Sequence, residues 1–175
     1  HAIVAGRGGA LARRAAAGWT PLRPWAYIGL DAARTSDDRI VVVGYRGQAA
    51  VISADLATSV AVTATTSRTL EAVAVAGDTT IAVGAGGTVL RLGADVWIPE
   101  RLGADPWLRG VAAGPAGSFV AVGDDGAVYV RDSAGRWRAE TPGVTTDLFL
   151  AATGSGGEVW VVGRQGTLLR REASG

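Results

Sequence analysis

The stretch Ile81-Ala82-Val83-Gly84-Ala85-Gly86-Gly87-Thr88-Val89-Leu90-Arg91 sets Gly84 and Gly87 three residues apart between two short apolar runs. Two structures fit such a pattern, a phosphate-binding loop and a tight hairpin. A phosphate loop needs a helix after the glycines, whose free amides and dipole hold the anion. Thr88-Val89-Leu90 instead reads as a strand. The rest of the chain decides the matter, because the same pattern returns at Ile3–Arg13, Val41–Val51, Val120–Arg131 and Trp160–Arg170.

The first glycine falls at Gly6, Gly44, Gly84, Gly123 and Gly163, in steps of 38, 40, 39 and 40 residues. The second follows three later each time, at Gly9, Gly47, Gly87, Gly126 and Gly166. A small-residue apolar segment precedes the later hairpins in the same phase, beginning at Tyr27, Leu70, Leu108 and Leu148, and Trp19, Trp97 and Trp137 follow three of them. Arg13, Arg91, Arg131 and Arg170 close the strand after the bend. Each unit therefore reads as four short strands: the small-residue segment, the two arms of the hairpin, and one that begins near the tryptophan. Ile81-Ala82-Val83 shows no polar alternation, which predicts burial on both faces. No window carries a helical apolar stripe.

A period of about 39 residues with four strands per unit predicts an all-β chain, a β-propeller of four-stranded blades with five hairpins. The units run as a partial blade over 1–26, blades over 27–67, 68–106 and 107–146, and a partial blade over 147–175, all within one domain 1–175. The ring is either five-bladed or a sector of a larger one. A sector would leave apolar blade faces and sheet edges bare. The second glycine suits the left-handed position of a three-residue loop ending in a bulge, and the first suits close approach of a neighbouring strand or blade. Recurrence of Trp19, Trp97 and Trp137 at one position predicts packing between blades. Trp160 is expected in the core.

The pattern L-x-x-V-A, A-V-G-x-x-G-x-V-x-R, then W, resembles the repeat of bacterial propellers similar to the photosystem II stability/assembly factor, which are related to the Asp-box repeats of sialidases. The nearest Asp box is Val130–Trp137, where Asp132 sits five before Trp137 but Ala134 and Arg136 replace the usual glycine and threonine. The resemblance covers nearly the whole chain. It implies a scaffold that acts by contact rather than catalysis, and the chain is read as a module of a larger bacterial secreted or envelope protein, with an extracytoplasmic location expected.

Composition narrows the chemistry. The 175 residues are 48% hydrophobic and 19% charged, with 26 glycines and no cysteine or methionine. No disulfide or thiolate metal site is possible. The net charge of +1 gives no electrostatic footprint for nucleic acid. No apolar run reaches the roughly 18–20 residues that insert through a bilayer. The start at His1 rather than methionine predicts that a leader or further domains lie outside the sequence. No motif for metal or cofactor binding is present, so none is expected. Among strand-one residues only Asp31 and Glu71 could supply the carboxylate pair of a glycosidase. The tyrosines Tyr27, Tyr45 and Tyr129 show no spacing that joins them to a sialidase-type site.

What remains is a recognition surface. Loops between strands two and three share one face with the connections between blades. That face carries Tyr45, Arg46, Asp124, Asp125, Arg164 and Gln165, with Trp25 and Trp107 after prolines. Trp, Tyr and Arg are the usual anchors of protein interfaces, while the plainer reading has the tryptophans plugging gaps between blades. The sequence thus points to a non-catalytic scaffold binding another protein, with a glycan-binding or glycosidase-type propeller as the alternative.

Overall fold

The computed structural model describes residues 3–6, 10–22, 31–55, 58–62, 64–94 and 96–173. These hold eighteen strands in five antiparallel sheets. The first sheet is β1 (Ile3–Gly6), β2 (Ala10–Ala15) and β3 (Gly18–Leu22). The second is β4 (Asp31–Arg34), β5 (Ile40–Val43), β6 (Ala49–Ile52) and β7 (Ser59–Ala61). The third is β8 (Leu70–Ala76), β9 (Thr79–Gly84), β10 (Val89–Leu92) and β11 (Trp97–Glu100). The fourth is β12 (Leu108–Ala113), β13 (Phe119–Gly123), β14 (Val128–Arg131) and β15 (Trp137–Glu140). The fifth is β16 (Leu148–Thr153), β17 (Val159–Gly163) and β18 (Leu168–Arg171).

Every sheet is a meander in which consecutive strands pair. The strands β4, β8, β12 and β16 touch in succession and form the inner wall. The core lies between sheets. Val41, Val43, Val73, Ala82 and Trp97 fill the second interface, Ile81, Val83, Val111, Phe119 and Ala121 the third, and Val120, Val122, Ala151, Val159 and Val161 the fourth. Ile81, Ala82 and Val83 are all fully buried, because a middle strand here has a sheet on each side.

In the third and fourth sheets both glycines of the bend answer to the chain between sheets. A Cβ on Gly84 would collide with the carbonyl of Thr69, and one on Gly123 with that of Trp107, both just before the first strand of their own sheet. The approaching segment therefore belongs to the same blade, not to a neighbour. Gly47, Gly87 and Gly126 are left-handed, with φ of 71°, 66° and 70°. They also face Thr66, Ala104 and Val144, which lead into the next sheet. The residue before each is left-handed as well: Arg46 at φ 58°, Asp125 at 56°, Gln165 at 57° and Gly86 at 60°. The bend thus holds two such residues in a row, one more than the sequence suggested. Side chains in this region cost about 1–2 kcal/mol. Gln165→Gly should therefore leave stability unchanged or raise it by up to about 1 kcal/mol, the gain offset in part by the freer unfolded chain, whereas Gln165→Val should lower it; urea unfolding of the two variants checks this.

Three further positions differ from expectation. Trp97 is 1% exposed, but Trp19 is 52% exposed. The strand-four indoles lean on the preceding sheet, and Trp19 stands in the first of the five. Trp160 is 37% exposed rather than in the core. It lies on the outer face of the fifth sheet with Leu150, Val162 and Leu168, while its neighbours Val159 and Val161 pack against the fourth. The arginines that close the third strands occupy two phases: counted from the first glycine, Arg131 matches Arg171, and Arg91 matches Arg170.

Candidate functional site

The first residue of β8 pairs with Gly84, that of β12 with Gly123, and that of β16 with Gly163. The bends between second and third strands and the connections between sheets therefore share one rim. Immediately below, β8, β12 and β16 each slip register by one residue, between Leu70 and Ala72, Leu108 and Gly110, and Leu148 and Leu150. The extra residues are Glu71, Arg109 and Phe149. A bulge re-aims the side chain it carries, and here it sets three large residues in a row at the top of the inner wall.

Trp107 is the centre of the arrangement. Its carbonyl accepts the Asp124 amide at 2.9 Å. Its indole N–H donates to Glu71 Oε1 at 2.9 Å. The Arg109 guanidinium lies 4.5 Å from the ring centroid, a cation–π geometry. Arg109 also forks onto Asp124, donating to Oδ1 at 2.7 Å and to Oδ2 at 2.9 Å. The hydrogen bonds from Arg109 to Asp124, outweighing partial burial, raise the Arg109 pKa further above its ordinary value. The ring is fixed on several sides and is still 42% exposed.

A second polar group adjoins the first. Asp147 accepts the Asp125 amide at 3.2 Å and pairs with Arg164 at 2.9 Å. The Arg164 amide donates to the Asp147 carbonyl at 2.7 Å. Phe149, two residues on, is exposed. The rim thus carries two ion pairs, Arg109 with Asp124 and Arg164 with Asp147, beside two exposed rings.

Of the residues expected from sequence, Trp107, Asp124, Asp125 and Arg164 come together here. Tyr45 and Arg46 are exposed on the bend of the second sheet, and Gln165 on that of the fifth, on the same rim but outside this cluster. Trp25 lies outside the described residues, as does Tyr27. Reading the sequence missed Arg109, Asp147 and Phe149 and took Glu71 only as a possible acid. Their common signal was present: Glu71, Arg109 and Phe149 each follow the first leucine of a small-residue strand.

The other candidate acid is engaged elsewhere. Asp31 Oδ2 accepts the Val73 amide at 2.9 Å and Oδ1 the Ala32 amide at 2.9 Å. Burial pushes its pKa up, and the two amides offset this only in part. Among the described residues, no cluster of three or more potential metal ligands occurs, and no helix is long and apolar enough to cross a membrane.

No protein-family profile matches the chain, and no curated protein does. Solved structures do match in fold. One is YCF48 bound to D1 peptide, at TM-score 0.66 and 14% identity, covering 95% of this chain and 58% of that one. Another is the Dos1 propeller, at TM-score 0.66 and 17% identity, covering 95% and 51%. A third is an auxiliary nutrient binding protein from Bacteroides thetaiotaomicron, at TM-score 0.62 and 13% identity, covering 81% and 37%. The chain is an all-β propeller like these, and spans about half the length of the first two.

Proposed function

We propose that this chain is part of a non-catalytic propeller that binds another protein, and that an extended segment of the partner crosses the rim at Trp107. The observation that carries this reading is the indole itself. A large ring left open to water yet locked by Glu71, Arg109 and the Asp124 amide loses little freedom on binding. Rigid aromatic anchors beside arginine are the usual centres of recognition surfaces. The ion pairs around it offer both signs of charge to a peptide. The likeness to a propeller whose structure holds a peptide supports this choice of partner.

Selection of a displayed peptide library on the immobilised chain tests it. Enriched peptides should bind Trp107→Ala at least about tenfold more weakly, while the thermal transition moves by less than about 2 °C because the ring is half open. Peptides that bind both proteins equally would reject this surface. The same likeness to a nutrient-binding propeller keeps a glycan reading in view. Sugars would stack on the Trp107 face that Arg109 leaves free, and reproducible hits on a glycan array with no peptide enrichment would favour it. Catalysis is not part of the proposal: Asp31 and Glu71 are committed to backbone and indole N–H groups rather than set as an acid/base pair.

A further inference from the structure

The surroundings of Trp107 are not electrically neutral. Direct contacts join four carboxylates and two guanidinium groups there. Glu71 accepts the indole N–H, and Asp124 pairs with Arg109. Asp147 pairs with Arg164 and accepts the Asp125 amide. The two arginines thus answer Asp124 and Asp147. Among the described residues, neither Glu71 nor Asp125 has an ion pair. The cluster is left with an excess of two negative charges, in a chain whose net charge is +1. Arg46 and Arg68 belong to other bends: Arg46 is exposed on the second, and Arg68 donates to the Gly86 carbonyl of the third. Arg109 feels the excess. Its hydrogen bond to Asp124 does most to raise its pKa, against partial burial, and the charges of Asp124, Glu71 and Asp147 add to that.

The indole prefers cations for a separate reason. An aromatic ring turns the negative side of its quadrupole outward on both faces. Arg109 occupies one face, 4.5 Å from the centroid. The ring is still 42% exposed, which leaves the other face to a partner. Donating its N–H to the Glu71 carboxylate makes the ring richer in electrons and so a better seat for positive charge.

We infer that the partner segment crossing the rim is basic, and that it lays an arginine or lysine side chain on the free face of Trp107, where Glu71 and Asp125 supply the charge that no residue of the cluster balances. Arginine suits the place better, because its planar guanidinium stacks on a ring while its edge still donates to carboxylates. An acidic segment would meet like charge, and a neutral sugar would gain nothing from the excess. The inference rests on the reading of the rim as a peptide-binding surface and names the chemistry of its partner.

The test selects a displayed library of random peptides on the immobilised 175-residue protein. The best binder is resynthesised with a fluorescein label and titrated by fluorescence anisotropy. Arginine and lysine should be enriched over the input library. Replacing the most strongly selected of them by glutamine should weaken binding at least about fivefold. On the protein side, Glu71→Gln with Asp125→Asn removes the excess charge. Glutamine keeps an oxygen for the indole N–H, and asparagine tolerates the left-handed backbone of Asp125, at φ 56°. This double variant should bind the peptide at least about fivefold more weakly and melt within about 2 °C of the unaltered protein. Raising salt from about 50 to about 500 mM should weaken binding more for the unaltered protein than for the double variant. Peptides that need Trp107 but show no excess of arginine and lysine, or lose nothing on substitution by glutamine, would overturn the inference and leave the rim reading standing. Binding that survives Trp107→Ala, or no enrichment at all, would overturn both.

Discussion

Trp97→Ala is expected to remove about 3–5 kcal/mol of stability, a large share of a total that lies in the usual range of about 5–15 kcal/mol. Trp97 is 1% exposed and touches both sheets of its interface, Val41, Val43 and Ala49 on one side and Ala82 and Leu90 on the other. Truncation leaves a cavity that two rigid sheets cannot close. Its indole N–H is buried with no partner. The reason is local: Val62 stands where the later sheets carry Glu100 and Glu140. Trp97→Phe keeps most of the apolar contact and deletes an unsatisfied donor, so it should cost far less than Trp97→Ala. Trp19→Ala, at an exposed site, should stay within about 0.5 kcal/mol. Urea midpoints for the three variants give the order, and a Trp97→Ala midpoint close to that of Trp19→Ala would refute the packing argument.

Glu100→Ala comes second, at about 3–5 kcal/mol, because it strands a buried cation. The Arg131 side chain is 8% exposed, and both of its bonds to carboxylate, at 2.8 Å, go to Glu100. Burial alone would raise the Glu100 pKa, but hydrogen bonds from Arg131 and Trp137, with the charges of Arg131 and Arg91, bring it below the ordinary glutamate value. Glu140 is lowered too, first by its hydrogen bond from Arg171. The sign follows. An acid whose folded-state pKa lies below its unfolded value adds stability that is complete above the unfolded value and is lost as pH falls through the folded one. The unaltered protein should therefore weaken on acidification below the usual carboxylate range, and Glu100→Ala should show a shallower decline. Thermal melts from neutral pH downward measure both, and parallel curves would argue against Glu100 as a source of the acid sensitivity.

The bends were legible in the sequence because glycine is forced there twice over, by left-handed backbone and by a carbonyl that leaves no space for a Cβ. The middle strands were legible because Ile81-Ala82-Val83 has no polar alternation, and only a strand covered on both sides permits that. The rim cluster was not. Its contacts join Glu71 of the third sheet to Trp107 at the start of the fourth, and Arg109 to Asp124 from an inner strand to a bend, and they depend on a one-residue bulge that re-aims Glu71, Arg109 and Phe149. No periodicity within one unit shows such a slip. Trp160 misled for a related reason. Its phase matches Val120 and Ile81, which are covered by the following sheet, and the fifth sheet has no following sheet among the described residues to cover it. The arginines show the limit of counting by eye: Arg131 and Arg170 look alike in the string, yet one is buried on a glutamate and the other rests 5.5 Å over the exposed Trp160 ring.

The linker that joins two blades rests on a glycine of the one it leaves and then on a glycine of the one it enters, as Thr66 does on Gly47 and Thr69 on Gly84. Those seats are made by main-chain atoms alone. Residues displayed between them, such as Tyr45, Asp124 or Arg164, can be exchanged without disturbing what supports them. Mutation can therefore retune the proposed binding surface while the frame beneath stays put, much as type is reset in a fixed forme.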